Sequence, residues 1–178
     1  TTIPGALQNV EKFYNEDGLS LNSSYFLPYL SGERTPHNDP NVRGSFHSLK
    51  TSTNPSELQY AVIEGVSFGI LDGVNSILKI NSNFEHIFMV GGGSRSKFWN
   101  QLISTLLNRT LSICDQSEFG AALGVARLAM FADSNITDKK NIVKEIKIRE
   151  KFNPNVNKSD VLLKRYQHWK NIYLENKK

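Results

Sequence analysis

The chain has 178 residues, 39% of them hydrophobic, enough for one hydrophobic core and in keeping with a single domain over 1–178. Its net charge of +4 is uneven: residues 139–178 hold 12 of the 21 Lys and Arg but 4 of the 17 acids, which leaves the rest net acidic. No signal-peptide pattern follows Thr1 and no apolar run reads as long enough to cross a bilayer. The single cysteine, Cys114, rules out an internal disulfide and points to a reducing, cytoplasmic setting. The chain opens on Thr rather than Met, as a processed or partial chain would.

In chain order, Ala6 to Tyr14 reads as a short helix and Asn15 to Ser24 as a loop. Tyr25 to Leu30 is a strand interrupted by Pro28. Ser31 to Gly44 is a long loop dense in Pro, Asn and charge, where Glu33, Arg34, His37, Asp39 and Arg43 crowd together. No pair among them has the spacing of a metal-ligand cluster, so an ion-paired, interface-forming loop is expected. Ser45 to Leu49 is a further strand. Asn54 as cap, Pro55 at the first helical position and Glu57 three after the cap predict a helix running to about Lys79. Ile63, Val66, Ile70, Val74 and Ile77 form its expected apolar stripe. Ala61, Gly65, Gly69 and Gly73 form a small stripe, which implies close approach of another backbone, a neighbouring helix.

His86 to Gln101 carries the strongest signal. Ile87 to Val90 is an unbroken apolar run, expected as a strand buried on both faces. Gly91, Gly92 and Gly93 stop it, and Trp99, Leu102, Ile103 and Leu106 then recur at helical spacing. Glycines let backbone N–H groups approach a ligand, and a helix N-terminus adds unpaired donors and partial positive charge, a combination that suits a nucleotide or phosphate. A phosphate-binding P-loop would need Gly-Lys-Ser/Thr, which does not follow Gly93. A dinucleotide fold is a closer rival. Gly91-x-Gly93 follows a strand and Asp115 lies near where a ribose-binding acid would stand, but Ser96 takes the third glycine position.

Thr110 to Cys114 is a second strand, with Cys114 a small core residue. Ser117 is expected to cap a helix presenting Phe119, Ala122, Leu123, Ala126 and Met130 on one face, with Gly120 and Gly124 in tight packing. Phe131 to Lys140 reads as polar loop, Ile146, Ile148 and Phe152 as an edge strand, and Asn153 to Asn157 as a turn. A last helix starts near Ser159 with Leu162, Tyr166, Trp169 and Tyr173 inward. Its basic residues are expected to solvate a helix face rather than to bind nucleic acid.

Several segments together resemble the C-terminal domain of the FGGY carbohydrate kinases and, within them, the xylulokinase branch. Tyr25-Phe-Leu-Pro-Tyr-Leu-Ser-Gly-Glu-Arg-Thr-Pro-His-Asn-Asp-Pro-Asn-Val-Arg-Gly44 is similar to that branch almost residue for residue. Gly44-x-Phe46-x-x-Leu49, seven residues, then Glu57-Leu58-x-x-Ala61-Val62-Ile63-Glu64 resembles the family's C-terminal signature, with Ser48 where the signature has Gly. Gly91-Gly-Gly-Ser-Arg-Ser-x-x-Trp99-x-Gln101 resembles its nucleotide loop. Gly120-Ala-Ala-Leu-Gly124 with Ala126-Arg-Leu-Ala129 resembles the next helix.

The resemblance implies an α/β chain, the C-terminal lobe of an actin-like, ribonuclease H-like ATPase fold, with a mixed sheet flanked by helices. It implies ATP bound through Gly91, Gly92, Gly93, Ser94, Lys97 and Gln101, Mg²⁺ held by carboxylates of an absent N-terminal lobe, and a pentulose as acceptor in the full-length enzyme. The absent lobe and a second copy of the chain are the expected protein partners, with no nucleic acid and no membrane. None of Glu33, Asp39, Glu64, Asp72, Asp115 and Glu118 is paired with a second acid at dyad spacing. Arg34 and Arg43 would lower the first two, Glu64 and Asp72 would anchor their helix, and the last two flank a helix start. No catalytic residue and no metal ligand is therefore assigned, and the chain alone is expected to phosphorylate nothing.

Overall fold

Asn54 begins the helix around which the other elements collect. In this computed structural model, which describes residues 3–19, 22–80, 86–133, 142 and 147–177, the Asn54 side chain accepts from the backbone N–H groups of Ser56 and Glu57 at 2.9 and 3.0 Å, and Glu57 reaches back to the Asn54 N–H. That reciprocal cap starts helix Pro55–Ile80 where the sequence predicts it. In chain order the helices are α1 (Ile3–Phe13), α2 (Pro55–Ile80), α3 (Lys97–Leu107), α4 (Gly120–Ala132) and α5 (Val156–Asn176). The strands are β1 (Tyr25–Leu27), β2 (Ser45–His47), β3 (Ile87–Met89), β4 (Leu111–Cys114) and β5 (Ile148–Phe152). A π-helical turn, Tyr14–Gly18, continues α1 where a loop was expected.

β1 pairs antiparallel with β2, with Phe26 opposite Phe46. The second sheet has the order β3-β4-β5, with β3 parallel and β5 antiparallel to β4. β3 is therefore an edge of this sheet and is half-buried, with Val90 beyond it exposed, in place of the strand buried on both faces that its apolar run suggests.

α2 buries a different face from the predicted stripe. Tyr60, Ala61, Glu64, Gly65, Ser67, Phe68, Leu71 and Asp72 are inside, whereas Ile63, Val66, Ile70 and Val74 are half-buried and Ile77 is exposed. The helix is apolar on both sides, so periodicity alone could not choose. By length and composition it is also apolar enough to cross a membrane, contrary to the sequence reading; here it packs against α1, α3, α5 and β1. Its small stripe meets a strand, not a helix: a Cβ on Gly65 would strike the Phe26 carbonyl oxygen. A Cβ on Gly69 would meet the Pro28 ring at an ordinary 3.8 Å and one on Gly73 would meet open space, so close approach needs Gly65 alone.

The inward residues of α5 include Leu162, Tyr166, Trp169 and Tyr173, as predicted, together with Arg165. The Arg165 guanidinium grips Glu64 of α2 with two bonds of 2.6 Å and donates to the Asn22 and Ser24 carbonyls. Tyr60 donates its hydroxyl to Glu64, and the guanidinium lies over the Tyr25 ring. Burial pushes the Glu64 carboxyl up, against the hydrogen bonds and charge of Arg165. Burial pulls Arg165 down, but its bonds to Glu64 and the Glu64 charge more than reverse this. The fork-to-carboxylate geometry holds the two as an ion pair. Asp72 likewise anchors α2: it accepts from Tyr166 Oη at 2.8 Å and has His37 Nε2 at 2.8 Å, off the line of the ring N–H.

The 31–44 loop turns its acids on its own backbone. Glu33 accepts from the Thr35 and His37 amides and Asp39 from those of Asn41 and Val42, while Arg43 donates to the Pro40 and Val42 carbonyls. The Asn41 amide, more than any arginine, holds the Asp39 carboxyl below its ordinary value. The expected helix cap at Ser117 is instead part of a 3₁₀ turn, Ser117–Phe119, ahead of α4. None of the residues of α4 is buried; Phe119 just before it and Val125, Leu128 and Met130 within it are exposed. A Cβ on Gly120 would stand 3.3 Å from Val90 Cβ, but one on Gly124 would meet open space, so tight packing holds for the first only. Phe131 and Ala132 close α4 rather than opening a loop; residues 134–140 and Ile146 lie outside the described residues. α5 begins at Val156, three residues before Ser159, because Asn155 supplies its cap.

Candidate functional site

The three glycines after β3 do three different jobs. Gly91 adopts φ +86° and ψ −174°, a backbone that side-chain-bearing residues rarely take, so it is required by the turn itself. A Cβ on Gly93 would come within 3.1 Å of both Met89 Cε and Trp99 Cζ3, so a side chain there would press on both neighbours. Gly92 has neither constraint: its φ is ordinary and a Cβ there would meet nothing within 4 Å. It borders a cleft of about 600 Å³ lined by Gly92, Gly93, Arg95, Ser96, Lys97, Phe98 and Trp99 on one side and by Leu7, Gln8 and Glu11 of α1 on the other.

The loop is tied down from beneath. Ser94, 3% exposed, donates its hydroxyl to the Gly91 carbonyl at 2.7 Å. Its single proton thus spent, it accepts from the Ser117 hydroxyl at 3.0 Å. Gly91 N–H donates to the Ser117 carbonyl, and Asn100 Nδ2 donates to the Ser94 carbonyl. Gly92–Arg95 form one 3₁₀ turn, and Ser96 then caps α3 by accepting from the Trp99 amide. The first amides of α3 have no partner within the helix and open at the same end as the cleft.

Of the residues singled out from sequence, Gly92, Gly93 and Lys97 come together at the cleft, and Gly91 turns the chain ahead of it. The Lys97 ammonium is mostly exposed and lies 3.1 Å from Glu150 of β5. Ser94 shapes the loop from inside. Gln101, one turn along α3, donates to the Asn153 carbonyl at 2.6 Å and so ties α3 to the end of β5. Sequence reasoning placed Ser117 as a helix cap and Ala6 to Tyr14 as a helix but missed both as supports of the cleft, and it did not single out Asn100, which α3 buries. Cys114 ends β4, and burial with the Asp115 charge beside it pushes the thiol up, which disfavours the thiolate. Among the described residues no three His, Cys, Asp or Glu side chains gather as a metal site.

The sequence profile described as "FGGY family of carbohydrate kinases, C-terminal domain" matches residues 9–132. The chain is 41% identical over 108 residues to a xylulose kinase of Escherichia coli, covering 61% of this chain and 22% of that protein. The crystal structure of a xyloylose kinase from Brucella ovis superposes with a TM-score of 0.74 at 33% identity, covering 97% of this chain and 38% of that one. A gluconate kinase structure from Lactobacillus acidophilus gives 0.71 at 28% identity, with 93% and 33% covered. The chain therefore spans well under half the length of these relatives. The shared architecture is the actin-like ATPase fold, which sets aside a dinucleotide fold.

Proposed function

Because the chain belongs to the FGGY family of carbohydrate kinases, we propose that it supplies the nucleotide-binding lobe of an enzyme that phosphorylates D-xylulose from ATP. The observation that carries this reading is Gly92, whose missing Cβ leaves an open floor to a cleft at the start of α3. In this reading Gly92 and Gly93 meet the nucleotide through backbone, and the α3 N-terminus faces its phosphates. Lys97 lies beside them as a charge contact, while Gly91, Ser94 and Gln101 hold the loop and α3 in place. Among the described residues no three His, Cys, Asp or Glu side chains gather, and in this reading the magnesium carboxylates and the base for the sugar hydroxyl belong to the N-terminal lobe. Phosphoryl transfer of this kind rests on positioning and charge neutralisation, of which this lobe performs the first.

Xylulose as acceptor rests on the likeness to xylulose kinases; the gluconate kinase likeness makes another polyhydroxy acceptor the second reading. The chain alone is proposed to bind ATP weakly and to turn over no sugar. The test is Gly92→Val in the full-length protein that carries these residues. With no clash inside the chain, the variant should fold as the parent does, while its ATP KM rises on the order of tenfold, the equivalent of ~1.4 kcal/mol, and its sugar KM stays put. A normal ATP KM with weakened sugar binding would overturn the assignment. Comparing kcat/KM on xylulose, ribulose, glycerol and gluconate settles the acceptor.

A further inference from the structure

Trp99 joins the glycine loop to the central helix. Its ring edge lies against Gly93, with Cζ3 and Cε3 at 3.1 and 3.4 Å from where a Cβ would stand, and Met89 Cε closes on the same point at 3.1 Å. Its indole N–H donates to Ser67 Oγ of α2 at 2.8 Å, across 32 residues of sequence. Ser67 is 1% exposed and donates its own hydroxyl proton to the Ile63 carbonyl at 2.7 Å. The indole N–H can only donate and the Ile63 carbonyl can only accept, so the direction of both bonds is fixed: Trp99 to Ser67, Ser67 to its own helix. No other orientation of the indole on its Cβ–Cγ axis keeps this bond.

We propose that Ser67 is a positioning residue for the nucleotide site: by holding the Trp99 indole it fixes the wall against which Gly93 rests, and so the height of the Gly92–Gly93 backbone in the cleft. The inference rests on the nucleotide reading above. Ser67 does not line the cleft, whereas Trp99 does. Without the acceptor, a part-buried N–H is left unpaired and the ring gains a reason to turn. Turning it would move the surface that Gly93 touches and leave α2 in place.

The test uses the full-length protein that carries these residues, with Ser67→Ala, Trp99→Phe, the double variant and Ser67→Thr. ATP affinity is measured by calorimetry, and ATP and sugar KM by steady-state kinetics. Loss of one hydrogen bond is expected to weaken ATP binding about fivefold in Ser67→Ala and in Trp99→Phe, with sugar KM unmoved. The double variant should be no weaker than Trp99→Phe alone, since the two changes remove one bond. Ser67→Thr, which keeps the hydroxyl, should restore ATP affinity. The part of any ATP-induced change in tryptophan emission that comes from Trp99 should be lost in Trp99→Phe; the other tryptophan of these 178 residues, Trp169, is buried in the core. Should Ser67→Ala not fold, Trp99→Phe and Ser67→Thr carry the comparison. Parental ATP affinity in Ser67→Ala or Trp99→Phe, or effects that multiply in the double variant, would overturn the proposal while leaving the nucleotide reading intact. Failure of the parent to bind ATP would remove the nucleotide reading and this inference with it.

Discussion

α5 and α4 invert what their compositions suggest. α5 is the polar, basic helix, yet it buries six residues, among them a charged arginine. α4 carries one charged residue, Arg127, in thirteen and buries nothing. The difference is in the partners. α5 lies across α3, α2 and β1 and meets a prepared acceptor in Glu64. α4 lies beside a groove floored by Phe88 and Val90 at the edge of the sheet, with nothing among the described residues laid over it. Burial is thus a property of the pair of surfaces and not of either sequence alone.

The largest effect should come from Arg165. Its Glu64 partner is 1% exposed, so Arg165→Ala strands a carboxylate in the core, and such breaks cost about 3–5 kcal/mol. Urea denaturation of the chain should show that loss, and pairing the change with Glu64→Leu should recover much of it. A loss no larger than that of a surface ion pair would mean the guanidinium reaches water and α5 is not anchored as described.

Gly65 should come next. A Cβ there meets a backbone carbonyl, which cannot step aside as a side chain tip can. Gly65→Val is expected to cost about 1–3 kcal/mol through overpacking. Gly73→Ala, with open space, should instead stabilise by about 0.5–1 kcal/mol by restoring helix propensity. Equal effects at the two positions would return the whole small stripe to close packing, as its regular spacing suggested.

The start of α2 was legible because Asn54, Pro55 and Glu57 act locally; the hydrogen bonds that make the cap span no more than three residues. The same holds for the inward aromatics of α5, which repeat along one helix. What the sequence hid are pairings across distance. Arg165 reads as solvated until Glu64, 101 residues away, is brought beneath it, and Ser117 reads as a cap until Ser94 arrives to take its proton. At the site, the glycines were legible as a group but not in their separate roles, because φ at Gly91, the neighbours of Gly93 and the emptiness beside Gly92 are all tertiary facts.

Ser48 gives a smaller and opposite test. It stands where the family signature has glycine, and the backbone has kept the glycine conformation, with φ +58°. A non-glycine residue held in the left-handed region costs about 1–2 kcal/mol, partly offset by the entropy that glycine brings to the unfolded chain. Ser48→Gly should therefore raise stability by about 0.5–1 kcal/mol, read as a higher urea midpoint. A loss would show that the Ser48 side chain makes a contact worth more than the strain it carries.

The smallest effect should be found on α4, and its smallness is the point. Leu128 is 69% exposed and Val125 67%. Replacing a leucine in a core removes transfer energy and leaves a cavity, at about 2–5 kcal/mol. Replacing one already in water removes neither, so Leu128→Gln and Val125→Thr should each fall within about 0.5 kcal/mol of the parent in the 178-residue chain. The same changes should reduce binding of a hydrophobic dye, since they take apolar surface from an uncovered face. In the full-length protein the comparison gains its force: a change that is silent in the chain and costs more than about 1 kcal/mol there would mean that the remaining chain covers this face. A large loss in the 178-residue chain itself would show that α4 is already packed, and the contrast with α5 would collapse.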